Sequence, residues 1–336
     1  MARAYPATYY FLVRRMPWLW GTVFGWLDAG PVYRVVRPLR RLWNLALGGP
    51  YMQWLRQQQV DVVVATHFLA ADLFGAAKRA GWLRAPLIVA ITDLHPHRFW
   101  LIPETDAFVV AAEQTAARCE ARGIPRARLH VLGIPIAPSF QRPVDRAQVL
   151  RGVGLDPARR TVLVTSGGNT VGPFGAVVEA LLGLEAAVPG RLQLLVMCGE
   201  DERTRARLEQ RANGGPMPAR VFGFIDMVPE FMGASDLVVA KAGGLTVMEA
   251  LSRGLPLILY HAIPGQERSN ARYVVRHGAA ILAGHPADVA TEVRRYLERP
   301  EHLAALRDAA RTLGRPGAAE AIVRTLIAPL VSRGDA

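Results

Sequence analysis

Short apolar runs alternate with amphipathic stretches from Val60 onward, and this alternation predicts the fold. In the first half, β-rich apolar runs occur at Val60–Thr66, Leu87–Thr92, Ala107–Ala111 and Leu129–Leu132. Helical patterns follow two of them, at Leu69–Ala80 and Glu113–Arg122. Nearly continuous apolar strands joined by helices predict a parallel sheet that is covered on both faces.

A second alternating series follows a break in the pattern. Prolines, glycines and scattered charges interrupt it around residues 143–160, which predicts a linker. Six further runs predict strands at Thr161–Ser166, Leu192–Cys198, Arg220–Phe224, Leu237–Ala240, Leu257–Leu259 and Ala279–Leu282. Helices fit between them, and Pro286–Leu297 and His302–Leu313 close the series.

The predicted fold class is α/β, with two tandem Rossmann-like domains. A chain of 336 residues is also long for a single core. We expect a first domain over residues 1–142, the linker over 143–160 and a second domain over 161–315. Residues 316–336 are predicted to contain a last helix, Ala319–Val331, that crosses back onto the first domain.

The first 59 residues have an unusual composition. They contain eight arginines, a single acidic residue, Asp28, and five of the seven tryptophans. Tryptophan rings and guanidinium groups together suit a bilayer interface with anionic lipid. We expect contact with an anionic membrane surface; the alternative is that the rings pack helices while the arginines face water. No nucleic acid is expected, because large aliphatic side chains separate the basic residues.

Charge and composition agree with a peripheral membrane protein. The net charge is +12, which favours an anionic partner. No apolar run reaches the roughly 18 residues of a membrane span, so we expect the chain to lie on the cytoplasmic face of the cell membrane. Cys119 and Cys198 are predicted to be buried free thiols. The sequence contains no metal-ligand spacing, and no metal or cofactor is expected.

Two strand-to-helix loops suit phosphate groups. The first contains Ser166, Gly167, Gly168 and Asn169 and precedes a predicted helix at Phe174–Ala187. Glycines let backbone N–H groups approach an anion at a helix N-terminus. The alternative for this loop is an ordinary tight turn.

The second loop carries a stronger signal. It runs Lys241-Ala242-Gly243-Gly244-Leu245-Thr246, between a predicted strand and a predicted helix at Val247–Arg253. Thr246 and Glu249 have the spacing of a capping box, which predicts Thr246 as the N-cap. Loop amides and the helix N-terminus would then bind phosphate. Glu249 is interpreted either as part of that cap or as an acceptor for ribose hydroxyls.

Two further polar loops follow predicted strands. Gln266, Glu267 and Asn270 come after Leu257–Leu259 and offer donors and acceptors suited to sugar hydroxyls; a solvated helix N-terminus is the alternative. In the first half, residues 92–100 contain Asp93, His95 and His97, which we take as candidates for acceptor binding or proton transfer. His67 is a second candidate there.

Together these motifs resemble the monogalactosyldiacylglycerol synthases and processive diacylglycerol glycosyltransferases. Those enzymes are similar in turn to the peptidoglycan enzyme that adds N-acetylglucosamine to a lipid carrier. The resemblance rests on TDLHPHRFW at 92–100, GIPI at 133–136, SGGN at 166–169, GF at 223–224, KAGGLTVMEAL at 241–251 and PGQERSN at 264–270.

The resemblance implies an inverting glycosyltransferase of GT-B architecture, with a lipid acceptor in the first half and a UDP-sugar in the second. It implies uracil near Phe224, diphosphate on Gly243, Gly244 and Thr246, and ribose on Glu249. The hexose would fall to Gln266, Glu267 and Asn270. Inversion on this fold needs no bound metal, because loop amides and the helix dipole stabilise the leaving diphosphate.

One departure from the family pattern concerns the N-terminus. Family members begin with a strand and a glycine-rich, histidine-containing loop, whereas no Gly-x-Gly-His stretch precedes Val60. The N-terminal domain is therefore expected to be incomplete, through either a start assigned too far downstream or a real loss. In the second case Asp93 or a nearby histidine would have to act as the base.

The leading functional expectation is transfer of a hexose from UDP-galactose or UDP-glucose to diacylglycerol. The alternatives are lipid-linked N-acetylglucosaminyl transfer in cell-wall synthesis, and a UDP-sugar-binding, membrane-associated protein without turnover.

Overall fold

The described residues form two units, each with its own parallel sheet. The structure is a computed structural model that describes residues 16–55, 57–168 and 172–331. Unit 1 contains the described residues before Ile136, together with Pro264–Ser269 and those from Gly317 onward. Unit 2 contains Ile136–Ile263 and Asn270–Pro316.

Unit 1 is built on a parallel sheet whose described strands follow their order in the chain. The strands are β1 (Val63–Ala65), β2 (Leu87–Ala90), β3 (Ala107–Val109) and β4 (Leu129–His130). Its helices before residue 136 are α1 (Pro17–Leu27), α2 (Gly30–Leu55), α3 (Phe68–Arg79) and α4 (Glu113–Glu120). All four apolar runs predicted as strands are confirmed, each over fewer residues than predicted.

The strands of unit 1 are buried on both faces, as their unbroken apolar runs predict. Leu87 and Val89 of β2 face a core that also contains Trp100 and Phe108. Ile88 and Ala90 face a second cluster on the opposite side of the sheet. This alternation follows from the two-residue period of a strand.

Unit 2 contains the longer described sheet, and all six predicted strands are confirmed. They are β5 (Arg160–Thr165), β6 (Leu192–Met197), β7 (Ala219–Phe222), β8 (Leu237–Lys241), β9 (Leu257–His261) and β10 (Ala280–Leu282). The helices in this part of the chain are α5 (Arg146–Gly152), α6 (Phe174–Leu182), α7 (Glu202–Asn213), α8 (Val228–Ala234), α9 (Gly244–Ser252), α10 (Gln266–Arg276), α11 (Pro286–Glu298) and α12 (Pro300–Leu313).

The strand order of unit 2 positions its candidate site. The order is β10-β9-β8-β5-β6-β7, and every pair is parallel. After β5, the chain adds β6 and β7 on one side of that strand. It then returns and adds β8, β9 and β10 on the other side. In open α/β sheets, ligands bind beyond the carboxyl ends of the strands at this reversal.

The segment predicted as a linker contains a helix. Asp145 is the N-cap of α5, and its side chain accepts a hydrogen bond from Gln148 N–H at 3.0 Å. Unit 2 begins at Ile136, before the predicted linker. Leu150 and Leu155 within the predicted linker are buried, so this stretch belongs to the packed part of unit 2.

The C-terminal segment packs on the sheet of unit 1. It continues as α13 (Ala318–Ile322), a π-helical turn (Val323–Ile327) and α14 (Ala328–Val331). Ile322, Leu326, Ile327 and Leu330 join the cluster that covers Ile88 and Ala90. Across the described residues, no helix combines the length and apolarity that a membrane span requires.

Candidate functional site

A cavity of unit 2 lies at the reversal of strand order. Its volume is about 350 Å³, and Thr165 at the end of β5 and Met197 at the end of β6 contribute to its lining. The loop after β7 and the start of α9 supply further walls, through Phe224, Thr246 and Glu249. The geometry is therefore that of the usual ligand crevice of such a sheet.

Glycines build the wall beside β5. Gly167 has a φ of 68° and Gly199, after β6, has a φ of 60°, both in the left-handed region that favours glycine. A Cβ at Gly199 would lie 2.6 Å from the carbonyl oxygen of Gly167. The two loops therefore touch through their backbones, and backbone groups rather than side chains form this wall.

The helix beside the cavity begins earlier than predicted. α9 starts at Gly244, its N-cap is Gly243, and no side chain caps it. The predicted capping box between Thr246 and Glu249 is therefore wrong. Gly243 adopts an extended conformation, with φ −67° and ψ 136°, so the backbone enters the helix before Thr246 is reached.

Because the helix starts early, the backbone N–H groups of its first turn are available to bind an anion. Val247 N–H donates to the carbonyl oxygen of Gly243 at 3.0 Å. The N–H groups of Gly244, Leu245 and Thr246 precede it in the first turn, where an α-helix provides no acceptor. Such amides, together with the helix dipole, favour a negative charge at this end.

Glu249 brings a carboxyl group to the same cavity, one turn after Thr246. Burial raises the pKa of the Glu249 carboxyl to about 7. A hydrogen bond from a ligand hydroxyl stabilises a partly desolvated carboxylate more than an exposed one, because fewer water molecules solvate its charge. The group is suited to accept hydrogen bonds from neighbouring hydroxyls.

Lys241 ends β8 next to the glycine turn. Its Cε lies 4.0 Å from the position that a Cβ would take at Gly167. His261 of β9 pairs with Lys241 in the strand register, and burial followed by the charge of Lys241 lowers the pKa of the imidazole. The side chain of Lys241 thus approaches the turn, and its strand partner His261 has a lowered pKa.

Phe224 forms an aromatic wall after β7. Its side chain is 69% exposed, which is unusual for a phenylalanine and leaves a ring face accessible at the cavity. Planar apolar faces of this kind suit stacking with another ring.

In unit 1, the residues predicted as catalytic are hydrogen-bonded within the fold. Asp93 is buried, and its Oδ2 accepts a hydrogen bond from Trp100 Nε1–H at 3.0 Å. His95 is paired with the guanidinium of Arg118. Burial and then the charge of Arg118 lower the pKa of His95 to about 4.

Both ring nitrogens of His97 have partners. Phe99 N–H donates to its Nδ1 at 3.1 Å, so the proton is assigned to Nε2, which donates to the carbonyl oxygen of Phe24 at 3.0 Å. Burial lowers the pKa of His97 to about 4. The side chain therefore ties α1 to the 92–100 loop as a neutral imidazole.

Asp28 makes a second connection between the N-terminal helices and that loop. Its carboxylate accepts hydrogen bonds from Arg98 N–H at 2.8 Å and from the Arg122 guanidinium at 2.7 and 3.0 Å. The single acid of the basic segment is thus a structural partner of two arginines.

Two family models together match most of the chain. Residues 4–136 match the model of monogalactosyldiacylglycerol (MGDG) synthase. Residues 161–320 match the model of the glycosyltransferase family 28 C-terminal domain. A processive diacylglycerol beta-glucosyltransferase of Bacillus cereus (strain AH187) is 28% identical over 274 residues, which cover 82% of this chain and 69% of that protein.

The predicted resemblance is confirmed: the chain contains both domains that these models describe, and it is similar to the processive diacylglycerol glycosyltransferases. Solved structures agree on the fold of this glycosyltransferase. The S. aureus MnaA–UDP co-structure matches with a TM-score of 0.64 and 15% identity, over 83% of this chain and 80% of that one. Acinetobacter baumannii MurG matches with a TM-score of 0.57 and 17% identity, over 84% and 77%. The fold is of the GT-B type, as the motifs predicted.

The cavity of this glycosyltransferase collects part of the predicted binding set. Gly167, Gly168, Phe224, Thr246 and Glu249 line it. Asn169 lies outside the described residues. The other members of the predicted set do not line it within the described part of the chain; they are Ser166, Lys241, Gly243, Gly244, Leu245, Gln266, Glu267 and Asn270.

Two of those residues have structural partners instead. Ser166 is buried, and its hydroxyl bonds to the carbonyl oxygen of Gly167 at 3.1 Å. Asn270 is also buried, and its Nδ2 donates to the carbonyl oxygen of Ala242 at 3.2 Å. The first contact lies within the glycine turn after β5, and the second holds the loop between β8 and α9.

Sequence reasoning missed several lining residues. Gly199, Asp226 and Met232 line the cavity without belonging to any predicted motif. The signal for Gly199 was its place directly after a strong strand pattern, where the carboxyl ends of parallel strands meet. Asp226 and Met232 carried no comparable signal.

The N-terminal helices expose large apolar side chains. Trp18 and Trp26 of α1 and Trp43 of α2 are 66%, 64% and 63% exposed. Val35, Leu39 and Leu42 are also exposed on α2, at spacings that place them with Trp43 along one face. Other parts of the predicted basic aromatic segment, residues 1–15 and Arg56, lie outside the described residues.

Proposed function

We propose that this protein transfers a hexose from UDP-glucose or UDP-galactose to diacylglycerol, with inversion, at the cytoplasmic face of the cell membrane. The observation that carries the proposal is the cavity at the strand reversal, where the glycine turn at Gly167 and Gly168, Thr246 in the first turn of α9, and Glu249 meet. The Bacillus relative is named as a diacylglycerol beta-glucosyltransferase, which supports this acceptor and favours glucose as the hexose.

The nucleotide half of the donor would fill this cavity. Uracil would stack near the exposed ring of Phe224, and the ribose hydroxyls would donate to Glu249. The diphosphate would accept hydrogen bonds from the glycine turn at Gly167 and Gly168 and from the N–H groups of residues 243–246. Lys241, close to that turn, would add a positive charge. The cavity volume, about 350 Å³, falls at the lower end of the range typical of small-molecule sites.

The hexose would be recognised by the loop that follows β9. Gln266 and Glu267 begin α10 at the carboxyl side of that strand, and their amide and carboxylate groups match sugar hydroxyls. We propose Asn270 as a positioning residue, because its amide holds the carbonyl oxygen of Ala242.

The proposed chemistry is a single displacement. A base removes the proton of the diacylglycerol hydroxyl while that oxygen attacks the anomeric carbon. The bond from that carbon to the diphosphate breaks, and UDP leaves with the electron pair. First-turn amides and the helix dipole stabilise the developing charge, without a bound metal. Asp93 and His95 remain the proposed candidates for the base, whereas His97 has both nitrogens engaged and is proposed to position α1.

The membrane part of the proposal rests on the N-terminal helices. Exposed tryptophans with nearby arginines suit the headgroup region of an anionic bilayer. A water-insoluble acceptor also requires the enzyme to work at such a surface.

The test is product formation in mixed vesicles that contain diacylglycerol. We expect hexosyl diacylglycerol and UDP from UDP-glucose or UDP-galactose, with activity retained in a chelator. Gln266→Ala should raise KM for the UDP-hexose while leaving inhibition by UDP unchanged, because it removes a hexose contact only. Equal loss of UDP affinity would contradict the assignment of Gln266.

The same assay separates the other functions. Turnover only with UDP-N-acetylglucosamine and a lipid-linked acceptor would replace the proposal with cell-wall synthesis. Calorimetric UDP-sugar binding without any turnover would identify a binding protein.

A further inference from the structure

A second cavity of unit 2 is lined by arginines. Its volume is about 230 Å³. Among the described residues that line it are three arginines and no acidic residue; the arginines are Arg253, Arg307 and Arg311. Met232 of α8 lines both this cavity and the one assigned to the donor, so the short helix α8 lies between them.

Arg253 brings a half-buried guanidinium whose hydrogen bonds go to backbone carbonyl groups. Its guanidinium donates to the carbonyl oxygens of Ser139 at 2.9 Å, Pro229 at 3.3 Å and Arg142 at 2.5 Å. Its Nε is buried without a hydrogen-bond partner among the described residues. Glu230 acts on this guanidinium electrostatically, but it does not line the cavity. The carbonyl groups solvate the guanidinium without cancelling its charge.

Arg307 also lacks a carboxylate partner in the part of the chain that the structure describes. The nearby Asp236 carboxylate is already shared by Arg146 and Arg160, each at 3.0 Å. Arg307 reaches only the carbonyl oxygen of Asp236, at 3.4 Å. The neighbouring acid therefore does not neutralise Arg307.

The third arginine is held by a close backbone contact. A Cβ at Gly254 would lie 2.7 Å from Cγ of Arg311, so the aliphatic stem of Arg311 lies flat against that glycine. Its ion pair with Asp308, at 3.7 Å, joins two exposed groups one helical turn apart. Such surface pairs are weak, and a multivalent anion would compete for Arg311.

We propose that this arginine-lined cavity binds a phosphate-type anion, either a soluble phosphate or the phosphomonoester headgroup of a lipid. Guanidinium forks pair with phosphate oxygens through two parallel hydrogen bonds. A phosphate would supply an acceptor for the unpaired Nε of Arg253 and would bridge the end of α9 to α12. The proposal concerns a site separate from the donor cavity and does not depend on the identity of the hexose.

The first arm of the test uses inorganic phosphate and the full chain. Saturating UDP fills the donor cavity, and phosphate is titrated by calorimetry at constant ionic strength. We expect a Kd on the order of 1 mM or tighter, which corresponds to about 4 kcal/mol of binding free energy. The Arg307→Gln/Arg311→Gln variant should weaken it at least tenfold, whereas Arg211→Gln/Arg294→Gln, with equal charge loss on exposed positions, should not.

The second arm identifies a lipid source. Binding to vesicles with one lipid in five carrying a phosphomonoester headgroup is compared with binding to neutral vesicles. If soluble phosphate does not bind but Arg307→Gln/Arg311→Gln alone loses the preference for the anionic vesicles, the site takes the headgroup. If the double variant fails to fold, Arg311→Gln replaces it, because that side chain is 67% exposed. Equal behaviour of the cavity variant and its control in both arms overturns the proposal.

Discussion

In unit 2 the candidate donor cavity is lined by glycine turns and by Thr246 in the first turn of α9. In unit 1, by contrast, the polar residues of the 92–100 loop bond to one another, to α1 and to α4. Gly167 and Gly199 create space by having no side chains. His97 and Asp93 fill space and satisfy internal partners. A run dense in ionisable residues therefore need not be the run that meets a ligand.

The difference also concerns electrostatics. In the cavity of unit 2, burial raises the pKa of Glu249 to about 7. A hydrogen bond from a ligand hydroxyl would stabilise the charged form of this carboxyl group. In unit 1, burial lowers the pKa values of His95 and His97 to about 4, which leaves neutral rings. Ligand binding is thus expected to perturb unit 2 more than unit 1.

The largest predicted effect is on kcat/KM for the UDP-hexose donor. Glu249→Ala should lower kcat/KM for the UDP-hexose by about 100-fold, because hydrogen bonds to a carboxylate are among the stronger ones. Steady-state kinetics with varied donor measures it. Glu301→Ala, an exposed carboxylate of the same unit, is the matched control, and full activity in Glu249→Ala would remove the ribose assignment.

The next effect concerns the stability of unit 1. Asp28→Asn weakens the pairing with Arg122 and Arg98 and should cost about 2 kcal/mol of unfolding free energy. All seven tryptophans lie at or before residue 100, so tryptophan fluorescence in urea reports on this unit. Asp61→Asn, at an exposed position, is the control. An unchanged urea midpoint would show that Asp28 does not join the N-terminal helices to the loop.

The pH dependence of stability should have opposite signs in the two units. Because its pKa is raised in the folded protein, Glu249 contributes fully to the unfolding free energy below about pH 4.5, the ordinary pKa of a glutamate. This contribution is lost as the pH rises through about 7. Because its pKa is lowered in the folded protein, His97 contributes fully to the unfolding free energy above about pH 6.5, and this contribution is lost as the pH falls through about 4.

Glu249→Gln and His97→Gln should each remove one of these two pH dependences of the unfolding free energy. The expected change is about 1.5 to 3 kcal/mol for each. Urea unfolding followed by circular dichroism and by tryptophan fluorescence measures both units across the pH range. Parallel pH profiles for the wild type and both variants would contradict the assigned causes of the two shifts.

The smallest predicted effect is at the exposed face of the N-terminal helices. Trp26→Ser/Trp43→Ser should reduce partition onto anionic vesicles by about tenfold, through lost apolar burial. Trp82→Ser, an exposed tryptophan of the same unit outside α1 and α2, is the control. Sedimentation with vesicles gives the partition, and equal loss in both variants would mean that this face is not the contact.

The fold was predictable because every strand is a short, apolar run with turn residues on either side. All ten predicted strands occur, from β1 at Val63–Ala65 to β10 at Ala280–Leu282. The predicted capping box was wrong because the helix begins at Gly244, two residues before Thr246, and the side-chain pattern does not show this start. The partners of His97 were not predictable, because Phe24 lies 73 residues away in the chain.

The glycine wall of the donor cavity tests the central claim most directly. Gly199→Ala places a Cβ 2.6 Å from the carbonyl oxygen of Gly167, whereas Gly190→Ala, with a φ of 69° and nothing within 4 Å, imposes only the backbone strain. In a calorimetric titration with UDP, we expect Gly199→Ala to weaken binding by about 30-fold or more, about 2 kcal/mol, and Gly190→Ala to bind like the wild type. Equal UDP affinity in all three proteins would contradict the placement of the nucleotide in this cavity.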